Sequence, residues 1–157
     1  MEMRNNKSEK IALTLLRIAI GWLFFHEGLN KVITEGWTAK MYLLQANGPL
    51  QSFYHWMASN ESILQFTNYS LIGSLLLIGL ALFIGLYERF FTIAGIIILA
   101  LFYFAYPPWG ESINSYAEGN YLLVDKNLIT ACALLVLFHF NIAKEFGLDR
   151  FRFKPNA

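Results

Sequence analysis

The chain is poor in the residues that carry redox and metal chemistry. It holds one cysteine, Cys132, so no internal disulfide can form, and the position of Cys132 inside an apolar run reads as a small buried hydrophobe rather than a redox thiol. No Cys-x-x-Cys, Cys-x-x-Cys-His or glycine-rich phosphate loop occurs. The sequence therefore offers no haem, iron–sulfur, flavin or nucleotide signature, and a redox role would need a partner protein to deliver electrons. The three histidines, His26, His55 and His139, lack the spacing that puts two ligands on one helix face, so no metal site is expected. Charge is scarce as well: Asp, Glu, Lys and Arg make up 15% of the chain with a net charge of +1, and nothing points to a nucleic-acid partner.

What is present is apolar surface. Hydrophobic residues make up 56% and aromatic residues 17% of 157 positions, and the mean hydropathy is +0.43, too high for a soluble domain of this length and fitting for an integral membrane protein. Four stretches are long and apolar enough to span, at about 11–33, 66–86, 90–106 and 121–140. They predict an all-α fold, an integral membrane four-helix bundle in a single domain. Basic residues precede the first stretch as in a signal peptide, but Arg17 interrupts it and no small-residue cleavage site follows, so it reads as an uncleaved first membrane helix. The connection from Thr34 to Gln65 holds Trp37, Tyr42, Phe53, Tyr54 and Trp56 and is broken by Asn47-Gly48-Pro49. It predicts two short interfacial helices in the first external loop. Pro107-Pro108 stops the third span.

The first span is costly, because it carries Arg17, His26, Glu27 and Lys31. A charged side chain near a helix centre costs roughly 2.5–3.5 kcal/mol on insertion scales and usually faces protein or water. At helical spacing Arg17, Gly21, Phe24, Gly28 and Lys31 fall in a sector of roughly 80°, with Glu27 one turn from Lys31 and His26 nearly opposite. That face reads as the interior of the bundle, and its glycines admit either another helix or a flat ligand.

The basic N-terminal arm, the turn at Arg89 and a basic tail with Lys144, Arg150, Arg152 and Lys154 place both termini in the cytoplasm of a multi-pass protein of the bacterial inner membrane. Arg17 then lies toward the inner side and Lys31 toward the outer one, about 21 Å away along the axis. Asp125 and Asn127, at the start of an inward-running fourth span, come to the depth of Glu27 and Lys31, and the four predict an outer polar cluster. For Arg17 three partners stand open: the inner headgroups, backbone carbonyls of the second or third span, or an anionic lipid.

The run Leu16-Arg17-Ile18, Gly21, Phe24-Phe25-His26, Gly28 and Lys31-Val32, together with Gly119-Asn120-Tyr121-Leu122-Leu123-Val124-Asp125-Lys126-Asn127-Leu128, resembles the DoxX family of four-helix membrane proteins. The resemblance implies a relation to the DoxD subunit of thiosulfate:quinone oxidoreductase and an association with quinone-linked electron transfer; it carries over no catalytic residue. A quinone needs an apolar slot, donors to its carbonyl oxygens and a proton route. Lys31, Tyr121 and Asn127 are candidate donors and Glu27 or Asp125 candidate proton carriers, with Arg17, Gly21 and Gly28 lining the same stripe. The expected function is a quinone- or lipid-binding subunit of an oxidoreductase system, in contact with membrane lipid and a redox partner. The rivals are a non-catalytic accessory or assembly protein whose polar cluster is structural, and a small-solute or proton transporter. Transport ranks last because the first span offers only apolar residues and Gly21 between its two polar ends.

Overall fold

The structure is a computed structural model, and it describes residues 7–108 and 123–152. It is an all-α membrane helical bundle. Helix α1 runs Lys7–Ile33, α4 Glu61–Ile84, α5 Glu88–Ala105 and α6 Lys126–Phe140. The short helices α2 (Lys40–Leu44) and α3 (Gln51–Ser59) lie between α1 and α4, and α7 (Ala143–Phe146) and α8 (Asp149–Arg152) follow α6. Helices α1, α4 and α5 are long and apolar enough to cross a membrane; α6, with 15 residues, is shorter. We call the end where α1 starts, α4 turns into α5 and α6 finishes the basal end, and the opposite end, capped by α2 and α3, the apical end.

Local chemistry sets the boundaries. The Asn60 side chain accepts a hydrogen bond from Ile63 N–H at 3.2 Å and caps α4, so this helix starts at Glu61, about one turn before the expected 66. It stops at Gly85, whose φ of 70° is the left-handed conformation that glycine adopts without a Cβ clash. The Asp125 carboxylate caps α6 through Leu128 N–H at 2.8 Å. The expected span 121–140 is therefore corrected: residues 123–125 precede the helix, and 121–122 lie outside the described residues.

Helix α1 packs chiefly along α4, and α6 along α5. The α1–α4 crossing is set by reciprocal glycines. A Cβ on Gly21 would stand 2.6 Å from Phe83 N, and one on Gly79 2.3 Å from Phe25 N, so only glycine lets the two backbones come this close. Around this crossing Ile20, Phe24, Leu75, Ile78, Leu82, Leu99, Leu134, Leu137 and Ile142 form the bundle core. A second core under the apical cap gathers Leu43, Ala46, Tyr54, Ala58, Leu64 and Tyr106. The cap is pinned to the end of α5: Asn47 and Gly48 N–H donate to the Ala105 carbonyl, Tyr54 O–H to Leu101 and Tyr106 O–H to Tyr42.

Large apolar side chains remain outside, among them Leu15, Trp22, Leu77, Ile93, Ile97 and Ile129, distributed over all four long helices as lipid-facing surface requires. Cys132 belongs to this surface. It is exposed, not the buried filler that its apolar neighbours suggest, because α6 buries Asn127, Thr130, Leu134 and Leu137 and Cys132 falls off that face. The basic tail does not end at α6: residues 141–152 fold back across the basal end of the bundle.

Candidate functional site

Two polar groupings stand at opposite ends of α1. At the apical end Lys31 forms an ion pair with Glu27 one turn earlier. The Lys31 side chain is 14% exposed and Glu27 44%, so the carboxylate is the member that meets the surroundings. Lys31 Nζ also lies 5.2 Å from the Trp37 ring centroid, which gives the ammonium an aromatic face. The chain reaches that position through Gly36 at φ 67° and a bond from Trp37 N–H to the Thr34 carbonyl.

Asp125 and Asn127 form a second pair. Besides capping α6, the buried Asp125 carboxylate accepts from Asn127 Nδ2 at 3.0 Å, so both of its oxygens are engaged. The expected cluster of four is therefore two local pairs: among the described residues, no hydrogen bond or ion pair joins Glu27–Lys31 to Asp125–Asn127. Tyr121 lies outside the described residues. Gly21 and Gly28 are both buried against α4; a Cβ at Gly28 would come within 3.1 Å of Leu75 and Leu76. Of the two occupants that the stripe admits by sequence, a helix fills it. His26, on the other face, is exposed beside the Asn30 amide at 3.2 Å and the Trp22 ring at 5.9 Å.

The basal grouping is built around Arg17, which is 2% exposed. Its Nη2 donates to the Phe146 carbonyl at 2.6 Å. The guanidinium lies in a slot between two glycines: a Cβ on Gly85 would stand 1.7 Å from Nη1 and one on Gly147 2.5 Å from it. Of the three partners that the sequence leaves open, Arg17 takes a backbone carbonyl, but one from the C-terminal segment instead of the second or third span. Two buried carboxylates complete the grouping. Glu88, the first residue of α5, accepts from Ala143 N–H at 2.6 Å. Asp149 accepts from Tyr87 and Glu88 N–H at 2.9 and 3.1 Å, which satisfies amides that the start of α5 would leave without acceptors. Sequence reasoning did not single out Glu88, Asp149, Gly85 or Gly147. The available signal was electrostatic: a buried arginine needs counter-charge at its own depth, and Glu88 and Asp149 are carboxylates beside the basic residues of the turn and the tail.

The DoxX family model matches residues 12–107, more than half of the chain and all of the bundle from the first turns of α1 to the end of α5. The chain belongs to the DoxX family. In this DoxX protein the matched region contains Arg17, Gly21, Glu27, Gly28, Lys31, Gly85 and Glu88, whereas Asp125, Asn127, Gly147 and Asp149 lie beyond it. Comparison with curated proteins and with solved structures gives no match.

Proposed function

We propose that this DoxX protein is a membrane subunit of a quinone-linked oxidoreductase system and binds a quinone, or another lipid-like molecule, at the apical end of α1. The observation that carries the reading is the Lys31 ammonium, largely withdrawn from solvent, set against the Trp37 face and paired with a half-exposed Glu27. A cation positioned in this way donates a hydrogen bond to a carbonyl oxygen, and the neighbouring carboxylate relays the proton that reduction adds. Of the two candidate proton carriers, Asp125 has both oxygens engaged within its own helix start and takes a positioning role, and Glu27 takes the proton. Gly21 and Gly28 support the helix that presents the pair and do not line the ligand. Electrons come from a partner protein, since the sequence holds no redox-cofactor signature of its own.

Lys7, Lys10, Arg89, Lys144, Arg150 and Arg152 all lie at the basal end, and this excess supports a basal end facing the cytoplasm of a bacterial inner membrane, with the Lys31 site near the outer face. The reading is tested by mass spectrometry of small molecules extracted from gently purified protein, wild type beside Lys31→Ala. Stoichiometric quinone or a single lipid class in the wild type, lost in the variant while the bundle stays folded, is the expected result. Bulk lipid alone in both refutes it. That outcome would favour a second reading, a non-catalytic accessory or assembly subunit, which the filling of the glycine stripe by α4 supports.

A further inference from the structure

The polar chemistry at the basal end is not used by the apical site, and it holds one particular segment in place. Residues 141–152 are attached to the bundle in two different ways. Next to α6 the attachment is apolar: Ile142 and Ala143 are fully buried, and Ile142 belongs to the bundle core. The chain turns there at Asn141, whose φ of 45° puts a non-glycine residue in the left-handed region that asparagine tolerates best. Beyond Ala143 the apolar side chains face outward, with Phe146 48%, Leu148 43% and Phe151 69% exposed.

What holds this outer part is polar. Arg17 donates to the Phe146 carbonyl, Leu148 and Asp149 N–H donate to the carbonyls of Ile84 and Gly85 at the end of α4, and the Asp149 carboxylate takes the amides that begin α5. Lys10 pairs with Glu145 at 2.5 Å nearer the surface. The closed arrangement also carries a cost. Arg17 Nε and Nη1 and Glu88 Oε1 are buried without a hydrogen-bond partner among the described residues. Each such group forfeits solvation, and a charged one forfeits more. Lifting the outer part rehydrates these groups, and none of its large apolar side chains is fully buried to begin with.

We propose that residues 141–152 are a latched strap across the basal end of the bundle, with its pivot at Asn141–Ala143 and its latch at Arg17 and Asp149, and that it opens as a unit while the long helices stay folded. Opening uncovers the Arg17 guanidinium and the facing ends of α4 and α5 to the aqueous boundary. The device stands at the other end of α1 from Lys31, about 21 Å along the axis, so it neither requires nor excludes the apical ligand.

The test is hydrogen–deuterium exchange by mass spectrometry on the full-length protein in lipid nanodiscs. In the wild type the amides of residues 144–149 exchange at least about 100-fold faster than those in the middle of α4 and α5, as a sub-global opening requires. Asp149→Ala speeds them a further 10-fold or so, together with Tyr87 and Glu88, which lose their acceptor, and leaves mid-helix amides unchanged. If that variant does not fold, Lys10→Met, which removes only the outer ion pair, produces a smaller rise of about 2–3-fold confined to the same segment. Exchange of the segment in step with mid-α4 and mid-α5 in the wild type, or a variant that speeds all regions equally, overturns the proposal. Loss of bound quinone in Lys31→Ala with normal strap exchange leaves the strap standing, and altered strap exchange in Asp149→Ala with ligand retained leaves the apical site standing.

Discussion

Replacing Gly79 and Gly73 separately by alanine makes one chemical change twice on α4, and the structure assigns the two positions opposite effects. A Cβ at Gly79 would stand 2.3 Å from Phe25 N, 2.6 Å from its Cα and 2.7 Å from its Cβ. Two of these are backbone atoms, which cannot rotate away. Restoring normal contact at about 3.5 Å moves α1 off α4 by about 1 Å and loosens Ile20, Phe24, Leu75, Ile78 and Leu82 along the crossing. Overpacking of this kind costs about 1–3 kcal/mol, and backbone contact puts Gly79→Ala at the upper end. A Cβ at Gly73 meets nothing within 4 Å. There the substitution brings only the helix-propensity gain of about 1 kcal/mol. Because that gain is common to both variants, their difference isolates the close approach. At about 2–4 °C per kcal/mol for a chain of this size, Gly79→Ala melts roughly 6–12 °C below Gly73→Ala. Thermal unfolding in detergent, followed by tryptophan fluorescence and by monodispersity after heating, measures it. A Gly79→Ala protein as stable as Gly73→Ala would refute the reading of α1–α4 as a glycine-mediated backbone contact.

The apical cap has a pH dependence of its own. Burial pushes the Tyr54 hydroxyl above its ordinary value of 10.0 while it donates to the Leu101 carbonyl at 2.8 Å. A group whose folded pKa is raised contributes stability that is complete below the unfolded pKa and is lost as pH rises through the folded one. Cap stability therefore holds up to about pH 10 and falls above it, whereas Tyr54→Phe starts lower by about 0.5–1.5 kcal/mol and lacks that part of the alkaline loss, as thermal melts across the pH range would show. At α6, Asp125→Ala removes both the cap on Leu128 N–H and the partner of Asn127, with a loss of about 1–2 kcal/mol in thermal stability; Asp125→Asn, which keeps an acceptor, recovers most of it.

Periodicity and punctuation made much of this fold legible in advance. Long apolar runs have few physical solutions in a bilayer, so the helices could be placed from composition and from breakers such as Pro107-Pro108 and Asn47-Gly48-Pro49. The pairing of Glu27 with Lys31 was readable because residues four apart share a helix face, and the burial of Arg17, Gly21, Phe24 and Gly28 followed from the same spacing. Family membership was readable from the spaced arginine, glycines and lysine of α1.

Other features depended on residues far apart in the chain. Spacing could say that the Gly21–Gly28 face is narrow but not what enters it; only the packed structure puts Gly79 and Phe83 against Gly21, and Leu75 and Leu76 against Gly28. Depth along the membrane brought Asp125 and Asn127 level with Glu27 and Lys31, yet depth fixes one coordinate of three, and short-range bonds within each helix satisfied both pairs separately. The partner of Arg17 lies 129 positions away, on a segment whose basic composition spoke only to topology. Its fold-back is decided by buried helix ends: the last carbonyls of α4 and the first amides of α5 need partners, and Leu148 and Asp149 supply them. The sequence by itself determined which segments are helical and which of their faces are apolar. Tertiary structure decided which polar groups meet, because that depends on where each helix ends in space and on what the chain brings back to cover it.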